Sequence, residues 1–592
     1  MPFESLPIEL LLGQSIKITN WLTPVWILSC GISLGFLMVL VTLIKVWAMS
    51  KIPGLNKIGE SGSTRITAGI VLGLVYLALA VAGYYFAYEP AGLDESFGLF
   101  LVFVIPLAFM LGYGVWGMFT ERGFSEVFSL FREGFLRWVN FVCLAAVLFA
   151  ITGFILAPFS GFGVVEFVDK PEDIMNSLGR IHKSGTFSGS LTVEPSGDED
   201  VGKKIDVEFW GQETRWLRFQ SNQELEIATE PIDETLSPHR VFKVSASSAK
   251  EAQQFYRRAD GKGRIPNEKI ESLYVVNRGR GPATFSYKYK IAPVYEQVWI
   301  IPWAAAYVVG LYLFYWVAAL LFPKVFAIAY STFKSEINQP LFLVILLIGL
   351  VFVVMSIYVP YNTFGEDIKM YKDAGLTLIR VLAIFMAIWA ASKSVAEEID
   401  GRTALTVLSK PVGRRQFILG KFSGISLAIG LLFIVLGLWF VVWTAYKPIY
   451  DGVETSKGTI EWEICFQEAT RIIPALFLAF LEVLIFVAIS VAISTRFGIL
   501  ANFLVCFSIY VLGHLTPLIV QSSAGEFEIV QTFGYLIAIV FPVLNHFDVQ
   551  AAINTNRDVP MIYLGWSVIY CMLYGTITML LALVLFEDRD LA

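Results

Sequence analysis

AGLTLIRVLAIFMAIWAASKSVAEEIDGRTALTVLSKPVGRRQFILGKFSGISLAIGLLFIVLGLWFVVWTAY, residues 374–446, is a pair of apolar arms around a charged hinge. The first arm, 374–392, holds one charge, Arg380, and the second, 422–446, holds none. The hinge, 393–421, gathers six Lys and Arg and three acids. A helix rises about 1.5 Å per residue and a bilayer core is about 30 Å thick, so about 20 apolar residues cross it. The stretch therefore reads as two membrane-crossing helices joined by a polar loop.

The same test applied outward finds charge-free runs at 18–44, 66–88, 96–120, 138–165, 297–323, 337–365, 497–525, 529–547 and 559–586. One more span, 472–495, contains a single charge, Glu482. The run 529–547 is short and holds Pro542 near its end, so it is expected either to re-enter or to form a twelfth span. Trp21, Trp26, Tyr85, Tyr88, Trp299, Trp303, Trp443 and Tyr446 sit at run ends, as interfacial aromatic belts require. The expected fold is an all-α polytopic membrane protein of eleven spans plus that re-entrant or twelfth segment. Composition agrees: 56% of residues are hydrophobic and 16% charged, against about 25% charged in soluble domains.

The charges are unevenly placed. Residues 165–296 hold 19 Lys+Arg and 21 Asp+Glu, nearly half of the 94 in the chain. This divides the chain into an N-terminal four-helix membrane region (1–164), a soluble insert (165–296), a fifth span (297–322) and a six-span region (323–592). A secreted or simple cytosolic enzyme is excluded, and so is a nucleic-acid binder, since net charge is −6 with no basic domain. The five cysteines lie far apart without metal-like spacing and read as small buried hydrophobes.

Lys and Arg collect on the inner side of membranes. If 529–547 re-enters, the segments 45–65, 121–137, 324–336, 393–421, 496 and 587–592 share one side and carry 17 of them. The opposite short segments carry 7, against 17 acids. The expectation is a multi-pass inner (plasma) membrane protein with N-terminus outside, C-terminus cytoplasmic and the insert extracytoplasmic. The first residues lack the basic start of a signal peptide.

The insert alternates apolar and polar residues in Ile205–Phe209 and Phe285–Tyr289, a β pattern with one buried face. Strands are expected at 186–193, 204–211, 215–220, 224–229, 240–245, 272–276 and 284–291, in a β-rich α+β, sandwich-like module. Helices are expected at 171–181 and 248–259. His182 and His239 have no second ligand at a useful spacing and read as surface or core histidines. Arg257-Arg258 and Arg278-x-Arg280 read as solvated faces.

The hinge carries more than a count of charges. Leu405 and Leu408 repeat at helical spacing between Gly401 and Pro411, with an acidic start and a basic end. A short rigid surface helix of this kind can transmit a push into the spans on either side. The pattern resembles the hallmark of ABC-2 type permeases: an acidic pair, Gly-(x)-Thr, paired leucines, Pro-Val-x-Arg, then Gly-Lys opening the next span. Glu397, Glu398, Gly401, Thr403, Leu405, Leu408, Pro411, Val412, Arg414, Gly420 and Lys421 meet it, with Gly-Thr stretched to Gly401-Arg402-Thr403. An elbow-like segment (326–337), a Ser-Thr-Arg-Phe-Gly turn (494–498) and the Phe541–Asp548 segment agree, over about residues 323–592. The resemblance is nearest to the copper-maturation and sodium-extrusion-like branch.

It implies that 397–421 docks an ATPase subunit, with a second permease copy alongside and ATP and Mg bound on the ATPase. No Gly-x4-Gly-Lys-[Ser/Thr] occurs: Phe422 follows Gly420-Lys421, and Gly263 follows Gly261-Lys262. Without a phosphate-cradling loop the motor is expected on a separate polypeptide, leaving this chain no cofactor of its own.

Within the spans, Glu482 and Arg380 are the intramembrane polar candidates, because an ionised side chain there costs at least ~2.5 kcal/mol and must face protein or water. They read either as a contact in a translocation path or as a structural pair, and the structural pair is the expectation. Gly31-x3-Gly35 and Gly69-x3-Gly73 are expected to pack the N-terminal bundle. No His-Glu-x-x-His or Gly-x-Ser-x-Gly occurs, and with four histidines no metal site is expected. Three readings stand: a transporter permease, an ATPase-driven mechanotransmitter acting on an outside partner, and a membrane scaffold or enzyme with no ATPase.

Overall fold

The computed structural model describes residues 18–52, 62–87, 95–156, 168–181, 184–195, 203–230, 241–245, 253–256, 265–266, 268–277, 281–359, 366–401, 412–455, 460–521, 540–555 and 557–587, with isolated positions between them. Two compact units emerge, one of residues 1–169 with 301–592, the other Lys170–Ile300.

The larger unit is helical. Its first part comprises α1 (Ile18–Ser50), α2 (Gly62–Ala87), α3 (Glu95–Met118), α4 (Glu121–Arg132) and α5 (Gly134–Leu156). Helix α4 occupies what reads as a loop in sequence. The Thr120 side chain caps it by accepting from Gly123 N at 2.8 Å. Close helix approach decides this region: a Cβ on Gly31 would stand 2.7 Å from that of Ala304, and one on Gly69 3.0 Å from Tyr113 Cα. Both Gly-x3-Gly pairs thus face other helices of the same chain.

After the insert come α7 (Ile300–Leu321), α8 (Pro323–Ile337), α9 (Pro340–Met355), α10 (Asp367–Ala391), α11 (Arg414–Glu454), α12 (Trp462–Ser494), α13 (Ile499–Gln521) and α14 (Met561–Glu587), the label α6 being kept for Pro171–Gly179 in the insert. Helices α8 and α9 meet at 65°. Pro340 opens α9, and a proline disfavours helical geometry in the residue before it, which breaks the pair there. Among the described residues nine helices are long and apolar enough to span a membrane, or ten if the bent pair is one span. The expected span at 497–525 is α13, whose described apolar part, Ile499–Leu515, is shorter. Most of 529–547 lies outside the described residues.

Several helices outrun the charge-free runs that announce them. Helix α10 begins at Asp367, seven residues before the apolar arm at 374, and α11 runs 41 residues, roughly 60 Å at 1.5 Å per residue. Charged residues placed in loops by sequence therefore lie inside helices.

The insert is a β-sandwich with one short helix, α6. Its strands are β1 (Gly185–Val193), β2 (Lys203–Trp210), β3 (Thr214–Ser221), β4 (Leu225–Ala228), β5 (Phe242–Val244), β6 (Gln253–Tyr256), β7 (Lys269–Asn277) and β8 (Ala283–Ile291). They form two four-stranded antiparallel sheets, β1-β8-β3-β6 and β2-β7-β4-β5. Leu217, Phe219, Leu225, Ile227, Phe242, Leu273, Val275 and Phe285 share the core between them. All seven expected strands are present. The expected helix at 248–259 is a correction: its described part is the edge strand β6. Leu217 pairs with Phe255, and Phe255 packs on Phe242 at 5.0 Å, so sheet pairing and core burial override local helix preference. His182, His239, Arg257, Arg258, Arg278 and Arg280 lie outside the described residues.

Candidate functional site

The hinge is built at the ends of α10 and α11. Helix α10 passes into a π-helical turn, Ser392–Ala396, then one α turn, Glu397–Asp400, that stops at Gly401, whose N–H donates to Glu397 O at 2.8 Å. Thr403, Leu405, Leu408 and Pro411 lie outside the described residues. The chain re-enters at Val412, and Gly413 caps α11 with its N–H donating to Gln416 Oε1 at 3.2 Å.

The two sides of the hinge are clasped. Lys421 Nζ, about two turns into α11, lies 2.5 Å from Glu398 Oε1. Lys421 is 6% exposed and rests over the Phe417 ring at 5.5 Å, so the lysine side of the clasp is shielded from water, while Glu398 is about a third exposed. Arg414 donates to the Glu587 carbonyl at 2.7 Å and lies over the Phe586 ring, which stacks on Phe417 at 5.8 Å. Gly420 lets α8 lie directly on α11, since a Cβ there would fall 2.6 Å from that of Ile328. Glu398, Arg414, Gly420 and Lys421 thus bind together the ends of α8, α10, α11 and α14. Glu397 is exposed beside them.

Behind the π turn lies a buried polar knot. The Asn502 amide reaches Ser392 Oγ at 2.8 Å, Ser490 Oγ at 2.7 Å and Ser494 Oγ at 2.9 Å, and Cys506 Sγ donates to its Oδ1 at 3.3 Å. Asn502, Ser490 and Ser494 are fully buried. The π turn is thereby tied to α12 and α13. The Ser490-x3-Ser494 spacing and an asparagine within an apolar run are the signals for this knot in the sequence.

Deeper, Arg380 Nε on α10 lies 3.2 Å from Glu482 Oε2 on α12, with side chains 6% and 0% exposed. His514 Nε2 on α13 stands 3.7 Å from the other Glu482 oxygen. A second buried ion pair, Lys372 with Glu468, joins the same two helices. On α11, Lys447 is wholly buried, donates to Ile357 O at 2.9 Å and pairs with Asp451 at 2.8 Å. Asp367, Asp451 and Glu454 bring carboxylate oxygens within 4.8 Å of one another, and Lys447 supplies counter-charge at that end. Sequence reasoning misses Lys372, Lys447 and Glu468 because it cuts spans at their charges. The i,i+4 spacing of Lys447 and Asp451 is the one local sign.

Among curated proteins nothing matches the chain. The resemblance read at 397–421 is met at the level of the family, and the copper-maturation and sodium-extrusion-like branch finds no support. The matched stretch opens at residue 297 rather than near 323, which places α7 with the helices that follow it. Residues 297–591, just under half of the chain, match the family model described as ABC-2 family transporter protein.

Proposed function

We propose that this chain is the membrane-spanning permease subunit of an ABC transporter, in which a separate ATPase subunit drives export of a substrate. Residues 397–421 form the docking element, with Glu397, Glu398, Gly401, Thr403, Leu405, Leu408, Pro411, Arg414, Gly420 and Lys421 as its working residues. ATP and Mg bind the ATPase, and a second permease copy completes the complex in the lipid bilayer. The observation that carries the reading is the Glu398–Lys421 clasp at the base of the segment. A push on the loop cannot be absorbed by its two ends moving apart, so it is passed to α10 and α11, and through Gly420 and Arg414 to α8 and α14.

The test is co-purification with the ATPase encoded beside the gene, for wild type, Glu398→Ala, Arg414→Ala and Gly401→Val. Loss of association or of stimulated ATP hydrolysis is expected in the variants. Unchanged association and stimulation in all three would sink the assignment. The proposed orientation, with the insert outside the cell, predicts that Ser196→Cys reacts with an impermeant thiol reagent on whole cells. Absence of labelling there, with labelling after lysis, inverts the topology.

A second reading, mechanotransmission to an outside partner, draws support from the buried charges. Arg380, Glu482, Lys372, Glu468 and Lys447 are engaged with protein partners rather than lining an open polar route. Retained ATPase coupling without any transported solute would favour it.

A further inference from the structure

Between the end of α8, the π turn and the first turns of α11 the fold leaves a cavity of about 400 Å³. That is the size of a small-ligand pocket, roughly 300–1,000 Å³, but such pockets are walled mainly by apolar side chains. Here every described wall residue is polar or charged.

Two wall hydroxyls are stranded. Thr332 and Ser394 are 2% and 6% exposed, and among the described residues neither Thr332 Oγ1 nor Ser394 Oγ has a hydrogen-bond partner. An orphaned buried polar group costs about 1–3 kcal/mol, so native folds rarely keep one without something that meets it. Beside them Glu336 is 1% exposed, and its carboxylate accepts from a neutral donor, Gln339 Nε2, at 2.9 Å. Lys421, the buried ammonium of the wall, is engaged by Glu398 at 2.5 Å.

The wall holds three carboxylates, Glu336, Glu397 and Glu398, against two ammoniums, Lys393 and Lys421. With Lys421 engaged and Lys393 exposed, the buried floor is rich in acceptors, and burial pushes the pKa of the Glu336 carboxyl up to about 8, so it ionises fully at neutral pH when a further cation joins it, which selects a cation over an anion. A bare ion would leave most of the volume empty. A guanidinium presents five N–H donors in a rigid plane, enough to reach a carboxylate and two hydroxyls together, whereas an ammonium has three donors on one atom.

We infer that this cavity is a socket for a guanidinium group, delivered as an arginine side chain of a protein partner. The partner's backbone stays outside, beside exposed Glu397. Glu336 takes the charge, and the Thr332 and Ser394 hydroxyls accept the remaining N–H groups. A chain-borne arginine has no free α-carboxylate, which the acidic rim would repel in free arginine.

The test is calorimetric titration of the full chain in lipid nanodiscs with N-acetyl-L-argininamide, L-arginine, N-acetyl-L-lysinamide and inorganic phosphate. It contains no ATPase, so its failure is separable from failure of the transporter reading. Saturable binding of the blocked arginine is expected, tighter than of free arginine or the lysine analogue, with no binding of phosphate. Glu336→Gln keeps the volume and removes the charge, and should weaken binding tenfold or more, about what loss of a charge-assisted hydrogen bond gives. Ser394→Ala and Thr332→Val should each weaken it several-fold while leaving Glu336 in place. Wild-type affinity in Glu336→Gln, absence of saturable binding, or preference for phosphate overturns the socket. Preference for free arginine overturns the partner side chain as its source.

Discussion

Replacing Arg380 by Met should cost more stability than any other single neutralisation in the helical unit. At 3.2 Å, with an effective dielectric of about 20, its attraction to Glu482 is about 5 kcal/mol. Bringing both ions out of water costs a similar amount, so the intact pair contributes little net stability. Removing one partner is different. Glu482 is fully buried, and the His514 ring stands 3.7 Å from its other oxygen. Arg380→Met therefore leaves a carboxylate without a counter-charge, at a cost of about 3–5 kcal/mol. Glu482→Gln leaves the guanidinium and should cost somewhat less, since a long side chain can bend toward the surface. The double replacement Arg380→Met with Glu482→Gln should fall within about 1–2 kcal/mol of wild type, because no buried charge is then left unpaired. The assay is a double-mutant cycle on purified protein in mixed micelles, unfolded by titrating sodium dodecyl sulfate and followed by circular dichroism. A coupling of several kcal/mol is expected. Additive single effects, or an unperturbed Arg380→Met, would refute the structural role and return both residues to a solute path.

Other outcomes can be checked alongside. Asn502→Leu removes the donor shared by Ser392, Ser490 and Ser494; because the hydroxyls can turn to helix carbonyls, the loss should be about 2–3 kcal/mol, with faster hydrogen exchange over the π turn. Gly420→Val places a methyl-bearing Cβ against Ile328 and should cost about 1–3 kcal/mol, read as lower thermal stability and weaker protection of α8. Phe242→Ala in the fully buried heart of the sandwich should cost about 3–5 kcal/mol and make residues 170–300 sensitive to limited proteolysis. On β7, hydrogen bonding to Glu271 and then to Glu208 raises the Lys269 pKa above its usual 10.5, and Lys269 holds the Glu271 carboxyl below its usual 4.5. Their small contribution should persist through neutral pH, fade as pH falls through the lowered Glu271 value, and fade as it rises through the raised Lys269 value; Lys269→Met should flatten both edges of the insert's stability profile.

Much of the architecture is local and therefore legible in a single sequence. A span needs a long apolar run whatever its neighbours, so α1, α7 and α14 announce themselves. Strands β2 and β8 do the same, because a half-buried strand must alternate. Elements fail to be legible where a neighbour decides. Residues 253–256 carry helix-forming glutamines, yet the open edge of β3 and the Phe219–Phe242 core take them as a strand.

The candidate site divides the same way. The sequence of 397–421 was enough to mark the segment and its resemblance, since glycine, proline and charge at fixed spacing act within one short stretch. That Glu398 closes on Lys421, and that Arg380 finds Glu482, 102 positions further along the chain, is settled only by helix packing. Sequence alone tolerates a lone charge such as Arg380 or Glu482 within a long apolar run, but treats charges near a run's edge as its end. Tertiary structure shows Lys372, Lys447 and Glu468 inside helices, because an ion pair removes the penalty that makes a lone charge a boundary.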